Sequence, residues 1–190
     1  MKIGFEEEIE IGGERILLKV LNPVFASQIA EYYQHNKSHF KDIAAFDDNS
    51  IYNVDFHNEM IWQEFAMMSL DMAIRFYIFL KSDEYYKKII GDISIFEINR
   101  ENEQKCSLGF KLDSKHCGFG YMGEAIKIAE KYVFENLELQ KIEAYIQKKN
   151  TSAVNLIQKN GFEFDGIAKD FLCINDIWLD YNRYIKINKK

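Results

Sequence analysis

The chain has 190 residues, of which 47% are apolar and 28% charged, an ordinary globular mix long enough for one domain that buries its core without disulfides. A formal net charge of −6 argues against a broad nucleic-acid face, which needs clustered Lys and Arg, and the three cysteines (Cys106, Cys117, Cys173) form no Cys-x-x-Cys motif for structural zinc. No segment approaches eighteen apolar residues and the start is rich in glutamate, so the expectation is a cytoplasmic protein with no membrane span and no metal.

Residues 15–20 alternate and predict a first strand. Asn22-Pro23 punctuates, because proline suits a helix start, and 24–34 predicts a short helix. Residues 36–53 lose periodicity and predict a loop or short helical turns. From 54 to 70 helical spacing returns, with Phe56, Met60, Ile61, Phe65, Met68 and Met72 on one stripe. Residues 76–80, 89–98 and 106–112 are strand candidates joined by polar turns, an antiparallel meander. After the segment CGFGYMGEA (117–125) comes a helix with Ile126, Ala129, Val133, Phe134 and Leu137 on one face. Residues 141–146 predict a strand, and 152–159 a helix stopped by Asn160-Gly161. Residues 162–168 and 177–187 are the last strands, with a turn at Asn175-Asp176. The pattern predicts one domain over 1–190, a mixed α/β sheet flanked by helices.

The glycine-rich segment carries the main functional signal. Gly118 and Gly120 free the backbone to turn tightly where it enters an amphipathic helix, and Gly123 allows close approach one turn later. The first-turn N–H groups, together with the helix dipole, favour phosphate oxygens. A Walker A ending is missing. GFGYMG matches the dinucleotide fingerprint literally but lies after a meander, not after a first strand, and a purely structural glycine turn is the competing reading.

The chain resembles the Gcn5-related N-acetyltransferase superfamily, in the branch that acetylates ribosomal-protein N-termini. Its motif Gln/Arg-Gly-x-Gly-Tyr/Phe-x-Thr-Glu-Ala is matched by Gly118, Gly120, Tyr121, Glu124 and Ala125, with Met122 common at its site. Cys117 stands at the Gln/Arg position and Gly123 at the Thr position. Asn150, Asn160-Gly161 and Phe162 resemble a second block, and Gly166, Lys169, Asp170, Asn175, Trp178, Asp180 and Tyr184 the closing run. The resemblance spans about residues 12–187. It implies a mostly antiparallel twisted sheet whose strands 106–112 and 141–146 splay apart. Acetyl-CoA is then the co-substrate, held by Phe110, Lys111 and Leu112, by Cys117, Gly118, Phe119, Gly120, Tyr121, Met122 and Gly123, and by Asn150 and Asn155. The acceptor is a primary amine, a protein N-terminus or a small molecule such as a polyamine. A homodimer is among the states that relatives adopt.

The resemblance also implies direct transfer from thioester to amine, with a strand N–H stabilising the oxyanion. Three polar helpers usual in relatives are replaced by Ser107, Ala153 and Ile157. Asn155 and Glu97 are the catalytic candidates that remain, followed by Asp92, His39 and His57. Tyr145 and Trp178 read as core aromatics, and Cys117 as a nucleophile only if a helix start lowers its pKa. Asp42, Asp47 and Asp48 would suit a cationic amine. With helpers missing, positioning and water-borne protons are expected to carry the reaction, and a non-catalytic cofactor sensor is the alternative.

Overall fold

Alternating apolar residues and short polar turns build an eight-stranded sheet in the order β1-β2-β3-β4-β5-β6-β8-β7. The computed structural model describes residues 9–40, 49–174 and 176–189. β1 (Glu10–Gly12), β2 (Ile16–Lys19), β3 (Ile74–Leu80), β4 (Gly91–Asn99) and β5 (Lys105–Leu112) pair antiparallel in succession. β6 (Lys141–Ile146) joins β5 in parallel, and β8 (Ile177–Ile187) with β7 (Glu163–Ile174) completes that side as a long hairpin. The expected meander is therefore present. β1 went unseen in the sequence, because three residues are too few for alternation to register.

The sheet is covered on both faces. α1 (Ala26–His35) and α3 (Val54–Ser69) pack with Tyr77 and Phe79, whereas α4 (Tyr121–Lys131) and α5 (Thr151–Lys159) pack with Phe76 and Ile78. Burial on both faces explains why β3 reads as the unbroken apolar run Phe76-Tyr77-Ile78-Phe79. Two helix starts, those of α3 and α5, are capped by an asparagine side chain. Asn53 accepts the Asp55 N–H at 2.8 Å, and Asn150 accepts the Ala153 N–H at 3.1 Å.

Several boundaries differ from expectation. Pro23–Phe25 is a 3-10 turn and α1 begins only at Ala26. The segment read as a loop or short helical turns does contain such turns, α2 (Lys37–Phe40) and a 3-10 turn at Asn49–Tyr52; Phe46, Asp42, Asp47 and Asp48 lie outside the described residues. The helix of residues 121–131 passes into a π-turn, Tyr132–Asn136, that still buries Val133. β7 runs on to Ile174 because its charges are paired across the hairpin, Lys169 with Asp180 and the Asp170 N–H with Asp180 Oδ1. At the predicted hairpin turn Asp176 has φ of 60°, while Asn175 lies outside the described residues. Among the described residues no helix is long and apolar enough to cross a membrane.

Candidate active site

β5 and β6 pair only from Lys105↔Lys141 to Ser107↔Glu143. Beyond that the two strands diverge, and a gap opens toward their C-terminal ends. The Asp113 N–H donates to the Ile90 carbonyl at 2.8 Å, so this pair is the hydrogen-bonded one of the antiparallel ladder. Alternation then turns the main chain of Lys111 and Gly109 toward β4, and that of Leu108, Phe110 and Leu112 into the gap. An extended chain entering here finds unpaired N–H and C=O groups, the geometry of strand addition.

The start of α4 stands at the same end of the sheet. Gly118 and Gly120 have φ of 86° and 83°, which only glycine adopts without strain. An added Cβ at Gly118 would meet nothing within 4 Å, so the backbone angle is what selects glycine there. Glu124 N–H bonds the Gly120 carbonyl at 3.1 Å, which leaves the N–H groups of Tyr121, Met122 and Gly123 without intrahelical partners. The loop is held from two sides. Glu124 accepts the Arg15 N–H at 2.7 Å and Arg15 Nε at 2.9 Å, and Arg15 Nη1 donates to the Phe119 carbonyl at 2.9 Å. Asn36, buried at the end of α1, accepts the Ser114 N–H at 3.0 Å.

The gap continues into a cavity of about 950 Å³. Phe110, Asn150, Ala153 and Tyr145 line the gap side, and Met60, Gln63, Glu64 and Met67 of α3 form the opposite wall. Arg75, Asp92 and Lys111 form a polar floor. There Arg75 pairs with Glu64 at 2.9 Å, and Lys111 pairs with Asp92 at 3.4 Å and donates to Tyr33 Oη at 3.2 Å. Burial, opposed by Arg75, pushes the Glu64 carboxyl above the usual carboxylate range. Burial also keeps the Tyr77 and Tyr32 hydroxyls protonated well above neutrality, assisted by the nearby Glu64 and Asp92 charges. A site of this shape can hold an elongated thioester and bring an amine to its carbonyl.

An acetyltransferase (GNAT) domain model matches residues 20–163, which covers the gap, the glycine loop and the polar floor. The chain belongs to this family. The probable N-acetyltransferase YjcK of Bacillus subtilis is 29% identical over 169 residues, spanning 89% of this chain and 92% of that protein. The ribosomal protein uS5-alanine N-acetyltransferase of Escherichia coli is 25% identical over 174 residues, 92% and 88% of the two chains. The crystal structure of a ribosomal-protein-S5-alanine acetyltransferase from Vibrio fischeri superposes with a TM-score of 0.87 at 24% identity, covering 96% of this chain and 98% of that one. The protein is thus an acetyl-CoA-dependent N-acetyltransferase of the branch that includes the ribosomal-protein enzymes.

Within the acetyltransferase the predicted residues divide sharply. Gly118, Phe119, Gly120, Tyr121, Met122 and Gly123 form the loop and first turn; Met122 buries its side chain, while Phe119 exposes its ring and stacks on Tyr121 at 6.0 Å. Asn150 lines the cavity while capping α5. Lys111 turns its backbone toward β4, and its side chain reaches Asp92 and Tyr33. Glu97 is not at the centre. It sits at a bulge with φ of 53° and accepts the Ser107 hydroxyl at 2.6 Å, outside the cavity walls. Asn155 is exposed on α5 and likewise does not line the cavity. Cys117 follows a 3-10 turn and does not start a helix, and burial beside Asp113 raises its thiol pKa, the opposite of an activated nucleophile. His57 is buried, bonded to the Ile51 carbonyl at 2.7 Å and stacked on Tyr33, whereas His39 lines the cavity. Tyr145 also lines it, stacked on Phe171 at 4.2 Å, and Trp178 is 61% exposed, so neither is a core aromatic.

Glu64 and Arg75 were missed. On α3, Ile61 and Met68 bury toward the core as expected, but Met60 turns to the cavity beside Gln63, Glu64 and Met67. A second, mixed stripe one residue out of phase with the core stripe was the available signal. Among the described residues no group of His, Cys, Asp and Glu is arranged to hold a metal.

Proposed function

We propose that this acetyltransferase modifies the free N-terminal amine of a protein or peptide. The observation that carries the reading is the divergence of β5 from β6 beside a helix start with two left-handed glycines, opening into a cavity walled by α3. In this reading the main chain of Phe110 pairs with the amides of the pantetheine arm, and the Phe110 N–H polarises the thioester carbonyl. The N–H groups of Tyr121, Met122 and Gly123 receive the pyrophosphate, aided by the helix dipole, and Cys117, Gly118, Phe119 and Gly120 shape the loop around it. Asn150 and Leu112 border the arm. The amine enters from the α3 side, where Met60 and Met67 offer apolar contact to a first side chain and a chain can trail outward. The similarity to a uS5-alanine N-acetyltransferase over 92% of this chain supports a peptide acceptor.

The test is acetylation of a panel followed by mass spectrometry: peptides beginning with Ala, Ser or Met, the same peptides with blocked N-termini, and spermidine. Acetylation of free N-termini and not of blocked ones supports the proposal. Turnover of spermidine with no peptide product contradicts it and assigns a small amine.

A further inference from the structure

We propose that Glu64 is the catalytic base of the transfer, its Oε2 taking the proton of the acceptor ammonium inside the cavity. This rests on the acetyl-transfer reading and names the residue that the three replaced helpers leave wanting. Arg75 Nη1 at 2.9 Å and Tyr77 Oη at 3.4 Å both engage Oε1 of Glu64. The side chain lines the cavity and is 19% exposed, so its carboxyl is reachable from the cavity. Asp92, the other carboxylate of the floor, is 2% exposed and bonded to Tyr32 and Lys111, so no amine reaches it.

The charged and titratable groups facing Glu64 are Arg75 and Tyr77 on β3, Asp92 on β4 and Lys111 on β5, with His39 of α2 lining the same cavity. Burial outweighs the cations, so the carboxyl lies above the usual carboxylate range. In the reaction an ammonium N–H bond breaks and its proton passes to Oε2. The freed nitrogen bonds the thioester carbonyl carbon, the C–S bond breaks, and the thiolate takes a second proton from the same nitrogen. Glu64 returns the first proton to water, so amide, thiol and one released proton balance the acetyl thioester and ammonium consumed.

The test compares wild type, Glu64→Gln and Glu64→Asp with acetyl-CoA and a peptide beginning with alanine, between about pH 5.5 and 10, around the range of an α-amine. Glutamine keeps the volume and an Oε1 acceptor for Arg75 and Tyr77. Glu64→Gln is expected to lower kcat about 10²-fold or more, to leave acetyl-CoA affinity by calorimetry unchanged, and to move the rise of rate with pH up to the pKa of the amine itself. Glu64→Asp recovers part of the rate. A kcat within about threefold of wild type, or an unmoved pH profile, overturns the proposal. If wild type acetylates no peptide, the peptide reading fails separately, and the base is then judged by carboxyl ¹³C titration of the coenzyme A complex with ethylamine. A Glu64 signal, identified by its loss in Glu64→Gln, that titrates above the usual carboxylate range and shifts with ethylamine supports it. One that titrates in the ordinary range and ignores the amine overturns it.

Discussion

Glu124→Ala removes the fastening between the first turn of α4 and the start of β2. Glu124 Oε1 accepts the Arg15 N–H at 2.7 Å and the Ile16 N–H at 3.4 Å, and Oε2 accepts Arg15 Nε at 2.9 Å. A hydrogen bond to a charged group contributes about 1.5–3 kcal/mol, the 3.4 Å contact little, and the ion pair at most about 1 kcal/mol because the Arg15 side chain is 47% exposed. The loss is therefore about 2–4 kcal/mol, roughly 4–16 °C in Tm for a chain of this size. Glu124→Gln keeps an acceptor and loses about 1 kcal/mol. Burial raises the Glu124 pKa, but the N–H donors of Arg15 and Ile16 and the Arg15 side chain outweigh it, so the folded value lies below the usual one. A depressed carboxylate contributes fully above the unfolded pKa, and its contribution fades as pH falls through the folded value. Melting curves of wild type and Glu124→Gln should thus converge in acid and separate at neutral pH. Because Arg15 also holds the Phe119 carbonyl, Glu124→Ala should weaken coenzyme A binding as well. A Glu124→Ala Tm within about 1 °C of wild type refutes the fastening.

Chemical denaturation should separate the loop glycines. Gly120→Ala forces alanine to a φ of 83° and costs about 1–2 kcal/mol, whereas Gly123→Ala meets Asn160 and Leu156 at ordinary contact distances of 3.7 and 3.8 Å and gains about 0.5–1 kcal/mol of helix propensity. Asn150→Ala removes the cap of α5, and calorimetry should show about 1 kcal/mol lost. Of the three thiols Cys106 is buried, with its pKa pushed up to about 12 by burial and by Glu143, so a thiol reagent at neutral pH should label it only on unfolding while the exposed Cys117 and Cys173 react in the native state.

The sequence displays long elements well because their periodicity repeats: β6 and β8 fall at their expected bounds, and α3 and α5 begin within a residue of theirs. Elements of three or four residues, such as β1 and α2, leave no period to read. The glycine loop was legible because positive φ restricts residue type at Gly118 and Gly120. The cavity floor was not. Glu64, Arg75, Asp92 and Lys111 come from four elements, and only the sheet register brings them together. Glu97 was a candidate as a carboxylate near the centre of a strand and Asn155 as a polar residue in the helix after Asn150; neither reading could show that Glu97 sits at a bulge at Phe96/Asn99 or that Asn155 is exposed on α5.

The central claim is that the gap between β5 and β6 and the start of α4 together hold acetyl coenzyme A. Backbone amide NMR during titration with coenzyme A tests it most directly. Saturable shifts at Phe110 and at residues 120–123, with Glu97 and its partner Ser107 little changed, are the predicted result. Saturable binding that leaves those amides untouched, or no binding at all, contradicts it.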